Sequence, residues 1–184
     1  DDSGTVRHVV IRRISAGEAV CEVIAAREVP VTRPRVRVVC GLPKQRKLDE
    51  VVPAHTARSQ VRLDARRAAR ARARWQAVAR AASCQSRRAR LLHVASVTLW
   101  DRAFTGAEHG VVFWEEAVRP LHDVAFDDLA ADITVGVGPE GGLTAQEITM
   151  TGLPAVALGD TILRTETASV VAPALVLHRL GRLG

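Results

Sequence analysis

The sequence of 184 residues predicts an α/β fold built on a parallel sheet, with a short β-rich segment in front of it. From residue 36 onward, apolar runs of strand length alternate with longer helical stretches, which is typical of chains that form parallel sheets. The composition, 47% hydrophobic and 25% charged, is that of a globular chain. No apolar run approaches the ~18 residues of a membrane span, so we expect no membrane partner.

The first predicted element covers residues 6–29, where apolar residues surround a turn at Gly17 and indicate short β-strands. About 30 residues cannot bury a stable core alone, so this segment is an appendage or part of a larger domain. Pro30 and Pro34 mark a linker, because two prolines in five residues disfavour helix. After the linker, a strand is expected from Val36 into a turn at 41–44, followed by strands at 94–99, 111–114, 133–137 and 155–158. Helices are expected at 62–90, from Thr144, and from about Thr165 to Leu180.

Two details of the helices can be predicted from spacing. In the helix at 62–90, Trp75, Val78 and Ala82 are expected to form the apolar stripe that faces the core. Thr165 is the expected N-cap of the last helix, and Glu166 lies in its first turn, where a carboxylate is favourable.

Charge is distributed unevenly along the chain. Residues 1–104 carry a net charge of +13, whereas residues 105–184 carry −7. Eleven arginines and one acid, Asp64, lie between Arg58 and Arg90. Arginine presents a planar fork of donors that matches phosphate oxygens, so this density favours a nucleic-acid surface over a merely solvated helix face. With few aromatic residues for base stacking, structured RNA is the better-fitting ligand.

Residues 136–142 contain the spacing G-x-G-x-x-G after a predicted strand. A dinucleotide site is disfavoured, because Glu140 would repel a pyrophosphate and Pro139 removes a backbone donor. The glycines would still allow the backbone to approach a flat, weakly charged ligand such as an adenine ring. The alternative is a strand-to-helix turn that binds nothing.

Residues 158–168 contain Arg164, the only Lys or Arg between Arg119 and Arg179. A lone arginine in an acidic, apolar region needs a partner, which is Glu140, Glu166 or the carboxylate of a ligand. A weaker signal is the acidic pair that follows Trp114 at a predicted strand end.

The sequence lacks the motifs that are typical of several other classes of protein. The histidines show no metal-binding spacing, and no nucleophile elbow or phosphate-binding P-loop is present. The three cysteines form no C-x-x-C pair, which disfavours a zinc site and a disulfide framework and predicts a reducing, cytoplasmic location. We therefore expect no metal.

The motifs Val137–Gly142 and Leu158–Ala168 together resemble those of the RsmE-type 16S rRNA (uracil-N3)-methyltransferases of the SPOUT superfamily. Leu42–Lys44, Gln85–Arg88 and Glu115–Ala117 match the family in the same order, and residues 8–18 resemble the end of its N-terminal barrel. The resemblance implies a PUA-like β-barrel at residues 1–31, incomplete here, and a SPOUT methyltransferase domain at residues 32–184 with a C-terminal trefoil knot at about 135–184. The sequence is shorter than the family pattern before Pro30 and changes abruptly at Val20–Cys21 and Glu50–Val51.

The resemblance also implies S-adenosyl-L-methionine as cofactor, a homodimer whose active site uses both subunits, and 16S rRNA of the small ribosomal subunit as substrate. It implies methylation of N3 of a uridine in the decoding region, with Arg164 stabilising charge or orienting the base, and Glu140 or Glu166 accepting the proton or positioning Arg164. The expected cofactor-binding residues are Trp114, Glu115, Gly138, Pro139, Glu140, Gly141, Gly142, Leu158, Gly159, Ile162, Leu163, Arg164, Thr165, Thr167 and Ala168. The expected RNA-binding residues are Arg12, Arg13, Lys44, Arg66, Arg70, Arg74, Gln85, Arg87, Arg88 and Arg90.

Three alternatives remain open at this point, of which a dinucleotide-dependent oxidoreductase is the least favoured. The first is a SPOUT enzyme that acts on a ribose 2′-OH or on tRNA. The second is a non-catalytic RNA-binding or ribosome-assembly protein that keeps the fold.

Overall fold

The computed structural model describes residues 4–31, 33–40, 50–59, 62–126, 131–159 and 161–183. The strands are β1 (Thr5–Ser15), β2 (Glu18–Glu28), β3 (Val36–Cys40), β4 (Glu50–His55), β5 (His93–Val94), β6 (Thr98–Leu99), β7 (Gly110–Phe113), β8 (Ile133–Val137) and β9 (Ala155–Val156). The helices are α1 (Ala65–Gln85), α2 (Trp100–Ala103), α3 (Ala145–Thr151) and α4 (Thr165–Arg179), and a 3₁₀ turn covers Leu121–Asp123.

The first two strands form an antiparallel hairpin, as expected for residues 6–29. Apolar side chains on both of its faces are exposed, including Ile11, Ile14 and Ile24. The abrupt junction at Val20–Cys21 lies inside β2. The assignment of residues 1–31 to a PUA-like barrel stays a prediction.

The main sheet has the strand order β5-β4-β3-β8-β7-β9, with β6 also paired to β4, and all of these pairs are parallel. This arrangement confirms the predicted α/β fold with a mainly parallel sheet. The apolar faces of the central strands are buried on both sides. Val38 and Val135 pack with residues of α1 and α4, whereas Val39 and Val112 pack with residues of α2. A sheet covered on both faces is expected for parallel strands.

Strand β4 was not predicted from the sequence. Pro53 in its middle argues against a central strand, because proline cannot donate to the ladder. The structure nevertheless places Pro53 opposite Cys40 of β3. The predicted strand at 94–99 is also divided into the two short strands β5 and β6.

Helix α1 is shorter than the predicted helix at 62–90. Asp64 caps its first turn by accepting a hydrogen bond from the Arg67 backbone N–H at 2.8 Å. Its buried residues are Ala79 and Ser83, while Val78 is 55% exposed. The predicted stripe is therefore wrong at Val78, because packing on the sheet selects a different face of this alanine-rich helix.

Helix α4 begins where it was predicted to begin, but with a different cap. Arg164 is the N-cap residue and its side chain makes no capping hydrogen bond. Thr165, the predicted cap, is instead the first helical residue and is buried. The tertiary position of Thr165 overrides its local preference for capping.

A charged cluster joins the linker to the start of β8. The Asp132 carboxylate contacts Arg33 at 2.7 Å and accepts hydrogen bonds from Arg35. The hydrogen bond from the Arg35 side chain is the main cause that lowers the pKa of Asp132 below its usual value, with the two positive charges adding to it. Arg182 donates to the backbone carbonyl of Arg33 at 2.6 Å, so the C-terminal segment is tied to the same place.

We expect Asp132→Asn to destabilise the fold slightly, by about 1 kcal/mol or less, since the ion pairs are partly exposed. Folding lowers the pKa of Asp132, so its contribution to the free energy of unfolding is fully present above the pKa of the unfolded chain, about 4. That contribution is lost as the pH falls through the pKa of Asp132 in the folded protein. Urea unfolding should show a difference between the two proteins at pH 7 that shrinks toward pH 3. A difference that grows on acidification would contradict this assignment.

Candidate active site

A cleft of about 420 Å³ lies at the carboxyl ends of β7, β8 and β9. Parallel strands bring the loops that follow them to the same edge of the sheet, where α/β proteins commonly bind ligands. Three segments that are distant in the sequence meet here. The lining residues are Phe113, Trp114, Glu115, Val137, Gly138, Pro139, Glu140, Gly141, Gly142, Ala157, Leu158, Gly159, Thr161, Ile162, Leu163, Arg164, Thr165 and Ala168.

The structure thus brings together every residue of the predicted cofactor set except Thr167, which does not line the cleft. Sequence reasoning missed Phe113, Val137, Ala157 and Thr161, which complete the walls. A signal was available for these four, because Val137 and Thr161 lie inside the two C-terminal motifs and Phe113 and Ala157 directly precede predicted cofactor-binding residues. The predicted role of the set in cofactor binding stays a prediction at this point.

The loop after β8 is closed by a hydrogen bond from the Gly142 N–H to the Pro139 carbonyl at 2.9 Å. Gly142 has φ of +72°, a left-handed conformation that favours glycine. A Cβ atom at this position would overlap the Glu115 carboxylate. The glycine therefore lets the loop after β8 and the loop after β7 approach each other closely at the cleft.

Trp114 links the loops around the cleft. Its backbone N–H donates to the Val156 carbonyl at 3.0 Å, and its indole Nε1 donates to the Leu143 carbonyl at 3.2 Å. One residue therefore connects the segment after β7 both to β9 and to the end of the glycine loop. This arrangement gives one wall of the cleft a defined shape.

The structure places two of the three predicted charged residues in the cleft and the third outside it. Arg164 and Glu140 both line the cleft and are exposed, whereas Glu166 lies in the first turn of α4 and does not line it. Within the part of the chain that the structure describes, Arg164 forms no ion pair with Glu140 or Glu166. Two of the three partners expected for Arg164 are therefore not used, and its guanidinium can act on a ligand.

Glu147 is a buried residue beside the site that sequence reasoning missed. It is 8% exposed, and one carboxylate oxygen accepts from the Ala57 N–H at 2.7 Å. The other oxygen accepts from the Thr144 N–H at 2.9 Å and hydroxyl at 3.0 Å, forming a capping box at the start of α3. The spacing T-x-x-E from Thr144 to Glu147 could have predicted the capping box. No local sequence pattern predicts the hydrogen bond between Ala57 and Glu147.

The arginines of α1 are only partly available to a ligand. Arg66, Arg70 and Arg74 are exposed on the helix, as expected for a surface that meets RNA. Arg72 instead donates to the Val94 carbonyl at 2.9 Å, which holds the helix to the sheet region.

The other predicted RNA-binding residues differ in their surroundings. Arg90 donates to the carbonyl of Val29, the residue that follows β2, at 3.3 Å. Arg12 is paired with Glu22 across the hairpin at 2.5 Å. Arg13, Gln85 and Arg87 are exposed, while Arg88 is partly buried. Lys44 lies outside the described residues.

Among the described residues, no group of three His, Cys, Asp or Glu side chains could hold a metal ion. Burial raises the pKa of the Cys40 thiol in the core strand β3, so it stays protonated. None of the described helices is long and apolar enough to span a bilayer.

Comparisons with known proteins identify the family. Residues 32–177 match the family described as RNA methyltransferase domain. The chain is 34% identical over 194 residues to ribosomal RNA small subunit methyltransferase E of Mycobacterium bovis, covering 94% of this chain and 74% of that protein. It is 32% identical over 177 residues to the protein of the same name from Bacillus subtilis, covering 83% and 68%.

Solved structures share the fold. Ribosomal RNA small subunit methyltransferase E from Neisseria gonorrhoeae, bound to S-adenosyl methionine, matches with a TM-score of 0.83 and 24% identity over 97% of this chain and 81% of that one. A putative methyltransferase from Legionella pneumophila, with bound cofactor SAM, matches with a TM-score of 0.85 and 20% identity over the same shares. The chain belongs to the RNA methyltransferase domain family and, within it, to the small-subunit rRNA methyltransferases of the RsmE type, as predicted.

Proposed function

We propose that this protein transfers a methyl group from S-adenosylmethionine to N3 of a uridine in the decoding region of 16S rRNA, in the assembled small ribosomal subunit. The observation that carries the proposal is the single cleft into which the segments around 114–115, 138–142 and 158–168 converge. Membership of the RsmE-type family supports the choice of rRNA as substrate. The named cofactor of two structural neighbours supports the choice of S-adenosylmethionine.

The cleft fits a cofactor of this kind. Its volume of about 420 Å³ falls in the range of small-molecule sites, roughly 300–1,000 Å³. The loop Gly138–Gly142 exposes backbone at the cleft, and a Cβ atom at Gly142 would crowd the Glu115 side of it. We assign the adenine end to the backbone of this loop and of Leu158–Gly159. When bound, S-adenosylmethionine supplies the methyl group and a positively charged sulfur that favours an anionic base.

The chain's own residues have two tasks in this reaction. The N3–H proton of uracil must be removed with the help of an acceptor, because the pKa of this group is well above neutral. The negative charge that develops on the flanking carbonyl oxygens must also be stabilised. Glu140 lines the cleft and is the proposed acceptor of the N3 proton. Arg164 lines it too and donates to a carbonyl oxygen beside N3. Glu166, outside the lining, has a role only in positioning the start of α4.

Three finer features belong to the same proposal. Residues at about 135–184 form a trefoil knot, residues 1–31 belong to a PUA-like RNA-binding barrel, and two copies of the chain form a homodimer that completes the site. The substrate implies that the protein works in the cytoplasm. Resemblance to the family supports each of these features.

The test is incubation with labelled S-adenosylmethionine and either unmodified small ribosomal subunits or deproteinised 16S rRNA, followed by identification of the nucleoside. We expect N3-methyluridine from the particle and little from naked RNA. A 2′-O-methyl product would overturn the chemistry while keeping the fold. Absence of both transfer and cofactor binding would leave only an RNA-binding function.

The exposed arginines of α1 lead to a prediction about RNA binding. Replacing Arg66, Arg70 and Arg74 together with alanine should weaken binding to small subunits and reduce the slope of log affinity against log salt by roughly one per lost phosphate contact. Cofactor affinity should stay unchanged, because these side chains do not line the cleft. Charge reversal at Arg87 and Arg88 should act in the same direction. Equal loss of cofactor binding in these variants would instead indicate misfolding.

A further inference from the structure

The turn between β4 and α1 lies against the glycine loop of the cleft. A Cβ atom at Gly141 would be 2.9 Å from the Arg58 carbonyl oxygen and 3.0 Å from the Arg58 Cβ. The Arg58 guanidinium also donates through Nη1 to the Gly141 carbonyl at 3.2 Å. Backbone and side chain of Arg58 therefore both contact the same glycine. Arg58 itself does not line the cleft.

The turn that carries Arg58 is held on both sides. Thr56 and Ser59 bond to each other through the Thr56 N–H and Ser59 Oγ at 2.9 Å and through their hydroxyls at 3.0 Å. Between them, the Ala57 N–H donates to buried Glu147 at 2.7 Å. Glu147 is in turn anchored in the capping box of α3, which begins just after the glycine loop. These hydrogen bonds fix the position of the Thr56–Ser59 turn against the loop Gly138–Gly142.

The Arg58 Nη1 atom that donates to Gly141 also lies close to Gly142. A Cβ atom at Gly142 would be 3.6 Å from Arg58 Nη1 and would overlap the Glu115 carboxylate. The glycine loop is therefore close to both the positive charge of Arg58 and the negative charge of Glu115. A hydrogen bond from a charged donor to a backbone carbonyl is stronger than one between neutral groups, so it can select one loop conformation.

We propose that Arg58 is a positioning residue for the methyl-transfer reaction: from the Thr56–Ser59 turn it holds the Gly141 carbonyl and fixes the loop Gly138–Gly142 in the shape that binds the cofactor. The inference rests on the proposed function, because it assigns the adenine end of S-adenosylmethionine to this loop. Arg58 lies in the arginine-rich half of the chain, outside both C-terminal motifs, and would join the residues that determine cofactor binding.

The test compares Arg58→Ala with Arg102→Ala, which removes the same charge from an exposed site on α2. We expect Arg58→Ala to raise the Kd for S-adenosylmethionine by roughly tenfold by titration calorimetry, in line with loss of one charged hydrogen bond. The KM for the cofactor should rise more than kcat falls. In the protein without cofactor, hydrogen exchange in residues 138–142 should become faster. Arg102→Ala should match the wild type.

Two further variants keep the test independent of folding. Arg58→Lys keeps a charged donor and should recover most of the cofactor affinity. Gly141→Ala should reproduce the loss from the other side of the contact, because its new Cβ would push against the Arg58 backbone. Each protein is first checked for an unchanged melting temperature.

The outcomes separate this inference from the proposed function. If the wild type neither binds S-adenosylmethionine nor transfers methyl groups, the proposed function fails. If the wild type binds and Arg58→Ala binds equally well with unchanged exchange, the positioning role is wrong. If Arg58→Ala raises only the KM for small subunits and lowers the salt dependence of their binding, Arg58 contacts RNA and the inference is overturned.

Discussion

Arg164→Ala should lower kcat for methyl transfer by about a hundredfold or more while changing the Kd for S-adenosylmethionine by less than about threefold. The physical reason is that Arg164 lines the cleft, is exposed, and is the only Lys or Arg between Arg119 and Arg179. Loss of a donor that stabilises developing negative charge costs about 10²–10³ in rate. Single-turnover transfer to small subunits and cofactor titration measure the two quantities separately.

The matched control is Arg102→Ala, which loses an exposed arginine on α2 and should keep full activity. Arg164→Lys keeps the charge but loses the planar fork, so we expect an intermediate rate. Unchanged turnover in Arg164→Ala would remove this residue from the mechanism. A large loss of cofactor affinity would mean that Arg164 acts mainly in cofactor binding, the other role expected for it.

Glu147→Ala should destabilise the protein by about 3 kcal/mol, the second large effect we expect. The substitution leaves the Ala57 and Thr144 N–H groups without their acceptor at a position that is 8% exposed. A buried donor that loses its partner costs about 1–3 kcal/mol, and here two donors lose it together. Urea unfolding monitored by circular dichroism gives the free energy of unfolding.

Glu147→Gln should have a smaller effect, because its amide keeps one acceptor oxygen but replaces the other with a donor group. The control Glu116→Ala removes an exposed carboxylate and should change stability by less than about 0.5 kcal/mol. A Glu147→Ala protein as stable as the Glu116→Ala control would mean that the turn at residues 56–59 does not depend on this carboxylate.

Local patterns in the sequence were enough for much of the fold and for most of the cleft lining. Strand β8 is a short run rich in β-branched residues, and α3 is capped by Thr144, where its start was expected. The two C-terminal motifs also contain nearly all of the lining. Such elements can be predicted because strand, turn and capping preferences act over a few neighbouring residues.

Other features depended on the tertiary structure. Strand β4 contains Pro53 and is paired with β3 on one side and with β5 and β6 on the other. Helix α1 is rich in alanine around its circumference, so packing on the sheet, rather than spacing, decided that Ala79 faces inward and Val78 outward. Thr165 was buried rather than used as a cap.

The division is clearest at the site itself. The sequence by itself determined which short motifs carry the cleft, including Arg164 and the loop Gly138–Gly142. Only the tertiary structure decided that Arg164 pairs with neither expected acid and that the Thr56–Ser59 turn supports the glycine loop. The physical reason is distance along the chain. The bond between Ala57 and Glu147 spans 90 residues, and no local periodicity encodes a contact of that range.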